Sequence, residues 1–202
     1  MSSRSPAPPL LPPIPDTVPR WGNALTRAIG RLGLRVMGWR IEGSVPTLPQ
    51  FVAIGAPHTA TADAWIALWS MLALGLRIFW MGKQEIFWWP LGSLLRWLGG
   101  IPVDRSVAGG MVGQATDLFS QHPHCIVALA PEGTRKRVER WKTGFHRIAT
   151  GAGVPIVPVA MDYSRHVVDI GPPHPPTGDY TADEAVLRTH FSAHQARYPE
   201  RF

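Results

Sequence analysis

The chain has 202 residues, enough for one domain of ordinary size, and a formal charge of +6 from 20 Lys and Arg against 14 Asp and Glu. A basic balance favours an anionic partner, but the densest basic stretch, Arg135 to Arg140, is broken by Val138 and Glu139, so a lipid surface is expected rather than nucleic acid. The one cysteine, Cys125, excludes an internal disulfide and a cysteine-based zinc site, and reads as a small core residue.

Residues 1–19 carry seven prolines and no periodicity, which predicts a disordered or extended tail and shows no signal-peptide pattern. Residues 20–42 follow as a basic segment, helical from Trp21 to Trp39. Leu25, Ala28, Ile29, Leu32 and Val36 recur there at helical spacing among Arg20, Arg27, Arg31, Arg35 and Arg40. Such a Trp-ended amphipathic helix suits a lipid interface, or packs on the domain with its arginines in water.

Gly43 to Pro49 is a turn-rich connector. Phe51 to Ala56 reads as a buried strand, and Thr61 to Leu74 as a helix. Arg77 to Met81 and Ile101 to Val103 are short strands, with a helix from Pro90 to Leu98 between them. Val107 to Ser120 has helical periodicity. Cys125 to Ala130 is a strand, Thr143 to Thr150 a helix, and Val154 to Met161 a strand whose Pro155 and Pro158 predict an edge or a bulge. A proline-rich loop, Gly171 to Thr177, precedes a terminal helix from Ala182 to Arg197. Strand and helix alternate, so the class is α/β, one domain with a mostly parallel central sheet flanked by helices. The longest apolar stretch, Ala64 to Leu76, falls short of the roughly 20 residues that span a bilayer, so the protein is expected to lie on a membrane. Nine Trp against three Tyr agree with that placement.

Two polar clusters interrupt this apolar chain, each directly after a buried strand. The first is H-T-A-T-A-D, with His58 and Asp63; the second is P-E-G-T-R, with Glu132, Gly133, Thr134 and Arg135. Ligands of open α/β sheets bind outside the carboxyl ends of the strands, so the clusters are placed to meet. On one continuous helix His58 and Asp63 would lie about 140° apart. They meet if His58 is in the loop and Asp63 in the first helical turn, with Thr59 or Thr61 as the cap. The carboxylate then holds one imidazole nitrogen and the other can take a proton. No G-x-S-x-G occurs, so an attacking hydroxyl would come from a substrate; taken alone, the same pattern also reads as a structural cap with an exposed histidine. No second histidine stands at metal-ligand spacing, and no metal is expected. Gly133 allows close backbone approach, Thr134 offers a hydroxyl, and Arg135 a planar fork suited to phosphate; Glu132 would hold Arg135 or a substrate hydroxyl. A third element, G-G-I-P-V-D-R, runs from Gly99 to Arg105.

In this order the elements resemble the glycerolipid acyltransferase family that includes the 1-acylglycerol-3-phosphate O-acyltransferases. The blocks are His58-x-x-x-x-Asp63, Gly99 to Arg105, Pro131 to Arg135, and V-P-I-V-P-V-A from Val154 to Ala160. Lys83 to Gly92 and Trp141 to Ala149 are similar as well, so the resemblance runs from about Phe51 to Tyr163. It implies acyl transfer from an acyl-CoA or acyl carrier protein thioester to the hydroxyl of a lysophospholipid such as lysophosphatidic acid, in phospholipid biosynthesis, with no cofactor. His58 would deprotonate the acceptor and Asp63 would orient His58. Arg105, Glu132, Gly133, Thr134 and Arg135 would hold the acceptor and its phosphate, Pro158 would shape the acyl side, and Lys83 or a backbone N–H would face the oxyanion. Residues 43–202 would form the acyltransferase domain. Its partners would be the anionic membrane surface, the donor and the lysophospholipid, and its place the cytoplasmic face of the membrane, peripheral or monotopic. The Trp-rich stretch Trp80 to Trp97 would line an acyl groove or touch lipid, or pack in the core. Pro57, the small residues Thr59 to Ala62, and Ala130 depart from the family pattern. They leave room for another lyso-lipid or hydroxylated acceptor, or for a non-catalytic lipid-binding protein of the same fold.

Overall fold

The computed structural model describes residues 9–103 and 110–202. Seven strands form one sheet: β1 (Arg40–Gly43), β2 (Gln50–Ala56), β3 (Ile78–Lys83), β4 (Gly100–Val103), β5 (Cys125–Leu129), β6 (Ile156–Asp162) and β7 (Val167–Ile170). Their order is β1-β7-β6-β2-β5-β3-β4, and every neighbouring pair is parallel except β6 with β7. The helices are α1 (Ala24–Met37), α2 (Ala62–Leu74), α3 (Leu91–Trp97), α4 (Gly110–Gln121), α5 (Gly144–Ala152) and α6 (Tyr180–Arg188).

The central strands are apolar on both faces because both faces are covered. Val52, Ile54, Val127 and Ile156 point into a core shared with Phe119, Phe145 and Ile148 of α4 and α5. Phe51, Ala53, Ile126 and Val157 point into a second core with Leu34 of α1 and Ile66 of α2. Cys125 is wholly buried in the first, and burial pushes its thiol up to about 12. The connection leaving β2 therefore runs to one face and the connection leaving β5, its neighbour, to the other. That divergence opens a crevice at their carboxyl ends.

Sequence periodicity located most elements to within a few residues, with three differences of substance. From residue 9 onward the N-terminal segment is integral to the domain rather than a tail and a separate helix; the first eight residues of the expected tail lie outside the described residues. In residues 9–19, Val18 is buried, Leu10 accepts a hydrogen bond from Ile41 N–H at 2.9 Å, and Leu11 and Ile14 pack on the second core. The boundary expected after residue 42 falls inside β1, whose Ile41 is buried. Strand β6 is interior, between β2 and β7, and not an edge. Pro158 is tolerated because it lies just before the β7 pairing begins at Val159, where its carbonyl accepts from Gly171 N–H at 2.8 Å. The terminal helix stops at Arg188 rather than Arg197. Thr189 Oγ1 donates back to Val186 O at 2.7 Å, and Ser192 N–H donates to the Gln195 side chain at 2.8 Å, local bonds that compete with helix continuation.

Helix α1 packs on the domain by one face only. It meets α2 through Gly30, Gly33 and Leu34: a Cβ on Gly30 would stand 2.3 Å from Ala73 N, and one on Gly33 would stand 2.5 Å from the Trp69 ring. Glycine is required there for close approach of the two helices. The opposite face carries Leu25, Ile29, Leu32 and Val36, which at 100° per residue fall within about 60° of arc. All four are exposed, Leu25 at 67% and Val36 at 78%, with Arg31 and Arg35 exposed beside them.

Candidate active site

The crevice between β2 and β5 receives one polar cluster from each strand. After β2 the chain enters a short loop, and α2 begins at Ala62, so Asp63 occupies the first helical turn. His58 stays in the loop and turns back, placing Nδ1 3.2 Å from Asp63 Oδ2. Neither threonine caps the helix by its side chain. Asp63 Oδ2 instead accepts Ala60 N–H at 2.8 Å, tying the loop to the helix start.

Asp63 is wholly buried, and a buried carboxylate must be paired or hydrogen-bonded. Its second oxygen accepts the hydroxyl of Tyr163 at 2.6 Å. Burial raises the Asp63 pKa, but the bonds from His58, Tyr163 and Ala60 outweigh it and hold the carboxyl below its ordinary range. Burial and the Asp63 carboxylate push the Tyr163 hydroxyl up, so it remains a donor. Tyr163 follows directly on β6 and packs edge-on against Trp39, with ring centroids 4.9 Å apart. Sequence reasoning did not assign it a role. It occupies the same kind of position as His58 and Glu132, just past the carboxyl end of a central strand, and that was the available signal.

The second cluster meets the first, with different bonds from those expected. Glu132 is buried, and its Oε2 accepts His58 N–H at 2.9 Å; it does not hold Arg135. Its Oε1 has no hydrogen-bond partner among the described residues. Burial pushes the Glu132 carboxyl up to about 7, against the counteracting His58 N–H bond. Arg135 donates to the hydroxyl of Thr61, linking the two clusters across the crevice. Gly133 has φ +65°, a left-handed turn conformation, and the side chain of Lys142 covers its open side. The Thr134 hydroxyl accepts Lys136 N–H at 3.3 Å within the turn.

Lys83 is exposed at the carboxyl end of β3, two strands from β2 and so on the order of 10 Å to the side. Pro158 is buried in register with Ile54 and touches Gly171, so it shapes the sheet beneath the crevice. Arg105 lies outside the described residues. Among the described residues, no group of three or more His, Cys, Asp and Glu side chains is placed to hold a metal ion.

This geometry, a histidine on a buried carboxylate at the crevice of an α/β sheet, accompanies a match to the family model described as Acyltransferase over residues 41–162, more than half of the chain. The chain belongs to the acyltransferase family. The matched segment of the acyltransferase runs from Ile41 to Asp162 and contains His58, Asp63, Glu132 and Arg135; Tyr163 and the C-terminal segment lie outside it. The chain is 31% identical over 101 residues to the 1-acyl-sn-glycerol-3-phosphate acyltransferase of Escherichia coli (strain K12), which is 46% of this chain and 41% of that protein. It is also 31% identical over 97 residues to the protein of the same description from Salmonella typhimurium, 45% of this chain and 39% of that protein. The match spans about two fifths of the length of these curated relatives. The solved 1-acyl-sn-glycerophosphate (LPA) acyltransferase from Thermotoga maritima shares the fold, with a TM-score of 0.63 and 20% identity over 82% of this chain and 76% of that chain.

Proposed function

We propose that this acyltransferase moves a fatty acyl group from the thioester of coenzyme A or acyl carrier protein to a lysophospholipid hydroxyl. Lysophosphatidic acid, giving phosphatidic acid in phospholipid biosynthesis, is the first acceptor by similarity to the curated relatives. The observation that carries the reading is the His58–Asp63 contact. With Nδ1 held by a buried carboxylate, Nε2 is the nitrogen left to take a proton from the acceptor hydroxyl. The acceptor oxygen attacks the thioester carbonyl, the carbon–sulfur bond breaks, and the proton on His58 passes to the leaving thiolate. Asp63 stabilises the imidazolium between those two transfers. Incubation with lysophosphatidic acid and each donor in turn, followed by mass spectrometry of the lipids, is expected to yield phosphatidic acid with at least one donor. Its absence with both would remove this acceptor.

Tyr163 acts through Asp63 as a positioning residue. Tyr163→Phe deletes one hydrogen bond to the carboxylate, and is expected to lower kcat about tenfold while KM for both substrates stays at the wild-type value. An unchanged kcat would take Tyr163 out of the arrangement.

We further propose that the reaction takes place on a membrane carrying anionic lipid, on its cytoplasmic face. No described helix is long and apolar enough to cross a membrane. The support is the exposed apolar stripe of α1 with its arginines, together with exposed Trp88, Trp89 and Trp97. Trp21 ahead of α1 touches Trp97 of α3, ring centroids 4.7 Å apart, so these surfaces adjoin. Leu32→Asp with Val36→Asp, at positions 61% and 78% exposed, is expected to leave the melting temperature nearly unchanged. Partition onto phosphatidylglycerol vesicles in a sedimentation assay should weaken at least about tenfold. Undiminished partition would place the lipid contact elsewhere.

A further inference from the structure

The cleft beside the His58–Asp63 pair, about 280 Å³, is lined by residues 59–62, Arg135, Arg197, Tyr198 and Arg201. We propose that Arg197 and Arg201 complete, with Arg135, a cradle for a substrate phosphate. The identity of that substrate rests on the acyl-transfer reading; the cradle itself rests on the geometry.

Among the described residues, three guanidinium groups share the cleft and no acidic side chain lines it. Like charges gathered this way repel, and an anion seated among them removes that cost. Each arginine is held in place by the fold. Arg135 donates to the Thr61 hydroxyl, and Arg201 donates to Thr59 O at 3.3 Å while its guanidinium lies 4.4 Å from the Tyr198 ring centre. The Arg197 guanidinium lies 5.9 Å from the ring centre of Tyr163 and 5.8 Å from that of Tyr198. A guanidinium has five N–H donors, so these contacts leave donors for a ligand. The carboxylate contact of Arg201 is with its exposed neighbour Glu200 at 3.9 Å, a pair that water screens. Planar forks of this kind match phosphate oxygens.

The placement follows from the unexpected end of α6. Beyond Arg188 the chain folds back, Tyr163 N–H donates to Gln195 O at 2.9 Å, and Tyr198 N–H donates to Thr59 Oγ1 at 3.3 Å. The C-terminal segment is thereby docked on the loop that carries His58. Arg197 also faces Tyr163, the residue that holds Asp63, so an anion in the cleft sits next to the catalytic pair. The phosphate could belong to the acceptor headgroup or to the nucleotide of the donor.

Calorimetric titration of the full chain with sn-glycerol 3-phosphate and with adenosine 3′,5′-bisphosphate separates the two sources. At least one probe is expected to bind, and the double variant Arg197→Gln, Arg201→Gln to weaken that probe at least about tenfold. Arg197→Gln and Arg201→Gln are also read singly, each with an expected loss of about threefold, in case the pair does not fold. Failure of wild type to bind either probe, or equal affinity in the folded variants, overturns the cradle. Binding is read without turnover. A chain that binds a probe and transfers no acyl group leaves the cradle standing and removes the acyltransferase reading. A working enzyme whose variants keep wild-type probe affinity does the reverse.

Discussion

Replacing His58 by alanine is expected to lower acyl transfer by about three to four orders of magnitude while the protein stays folded. The imidazole is part-exposed, with 28% of the side chain open to water, so its removal leaves no large cavity. The loop keeps its anchor, because Glu132 accepts the backbone N–H of residue 58 and not its ring. Asp63→Asn should be nearly as damaging to turnover, for a different reason. The amide can no longer stabilise an imidazolium, and its NH2 replaces one of the two oxygens, so it stands as a donor either toward Tyr163 or toward Ala60 N–H and His58. His58→Ala should therefore lose kcat with a modest drop in melting temperature, because Asp63 keeps its bonds from Tyr163 and Ala60, whereas Asp63→Asn should lose kcat and more of the melting temperature. Rates within tenfold of wild type in a folded His58→Ala protein would mean that another group takes the proton.

Glu132→Gln is expected to stabilise the protein at alkaline pH. The folded-state pKa of Glu132 is pushed up to about 7 from an ordinary value of 4.5, mainly by burial. A raised carboxyl pKa means that the folded state binds the proton more tightly than the unfolded chain. The contribution is fully present below 4.5 and is lost as pH rises through 7. The full difference corresponds to roughly 3 kcal/mol. Glutamine keeps an oxygen to accept the His58 N–H and removes the ionisation. Urea unfolding of both proteins between pH 5 and 8 checks this. The variant should gain on wild type as pH rises, by up to roughly 3 kcal/mol at pH 8. The difference between the two proteins isolates Glu132 from every ionisable group that they share. A difference that does not change with pH would contradict the assignment.

What was legible in the sequence was whatever rests on a long apolar run ended by a polar cluster. Strands β2 and β5 and helix α2 stand where Phe51 to Ala56, Cys125 to Ala130 and Thr61 to Leu74 placed them, and the crevice between them followed. Strands β1 and β7 were not legible. Arg40–Gly43 and Val167–Ile170 have four residues each, and their pairing with each other depends on contacts across the chain. The periodicity of α1 gave the apolar stripe but not its direction, because Gly30 and Gly33 form the packing face by bringing α2 close rather than by being apolar. The pairing of Glu132 with Arg135, one of the two roles expected of Glu132, does not form. Burial gave the carboxylate the backbone N–H of His58, and left the exposed guanidinium to reach Thr61. Tyr163, Arg197 and Arg201 come to the site only through tertiary folding, from about 100 or more residues beyond Asp63.

The most direct measurement of the central claim is thiol release from acyl-coenzyme A and from acyl carrier protein by the purified chain, with and without lysophosphatidic acid and a panel of other lyso-lipids. The arrangement at His58 predicts release that requires an acceptor hydroxyl, with one acylated lipid formed per thiol and no acyl group left on the protein. Release that proceeds equally without acceptor, or none with either donor across the whole panel, would contradict it.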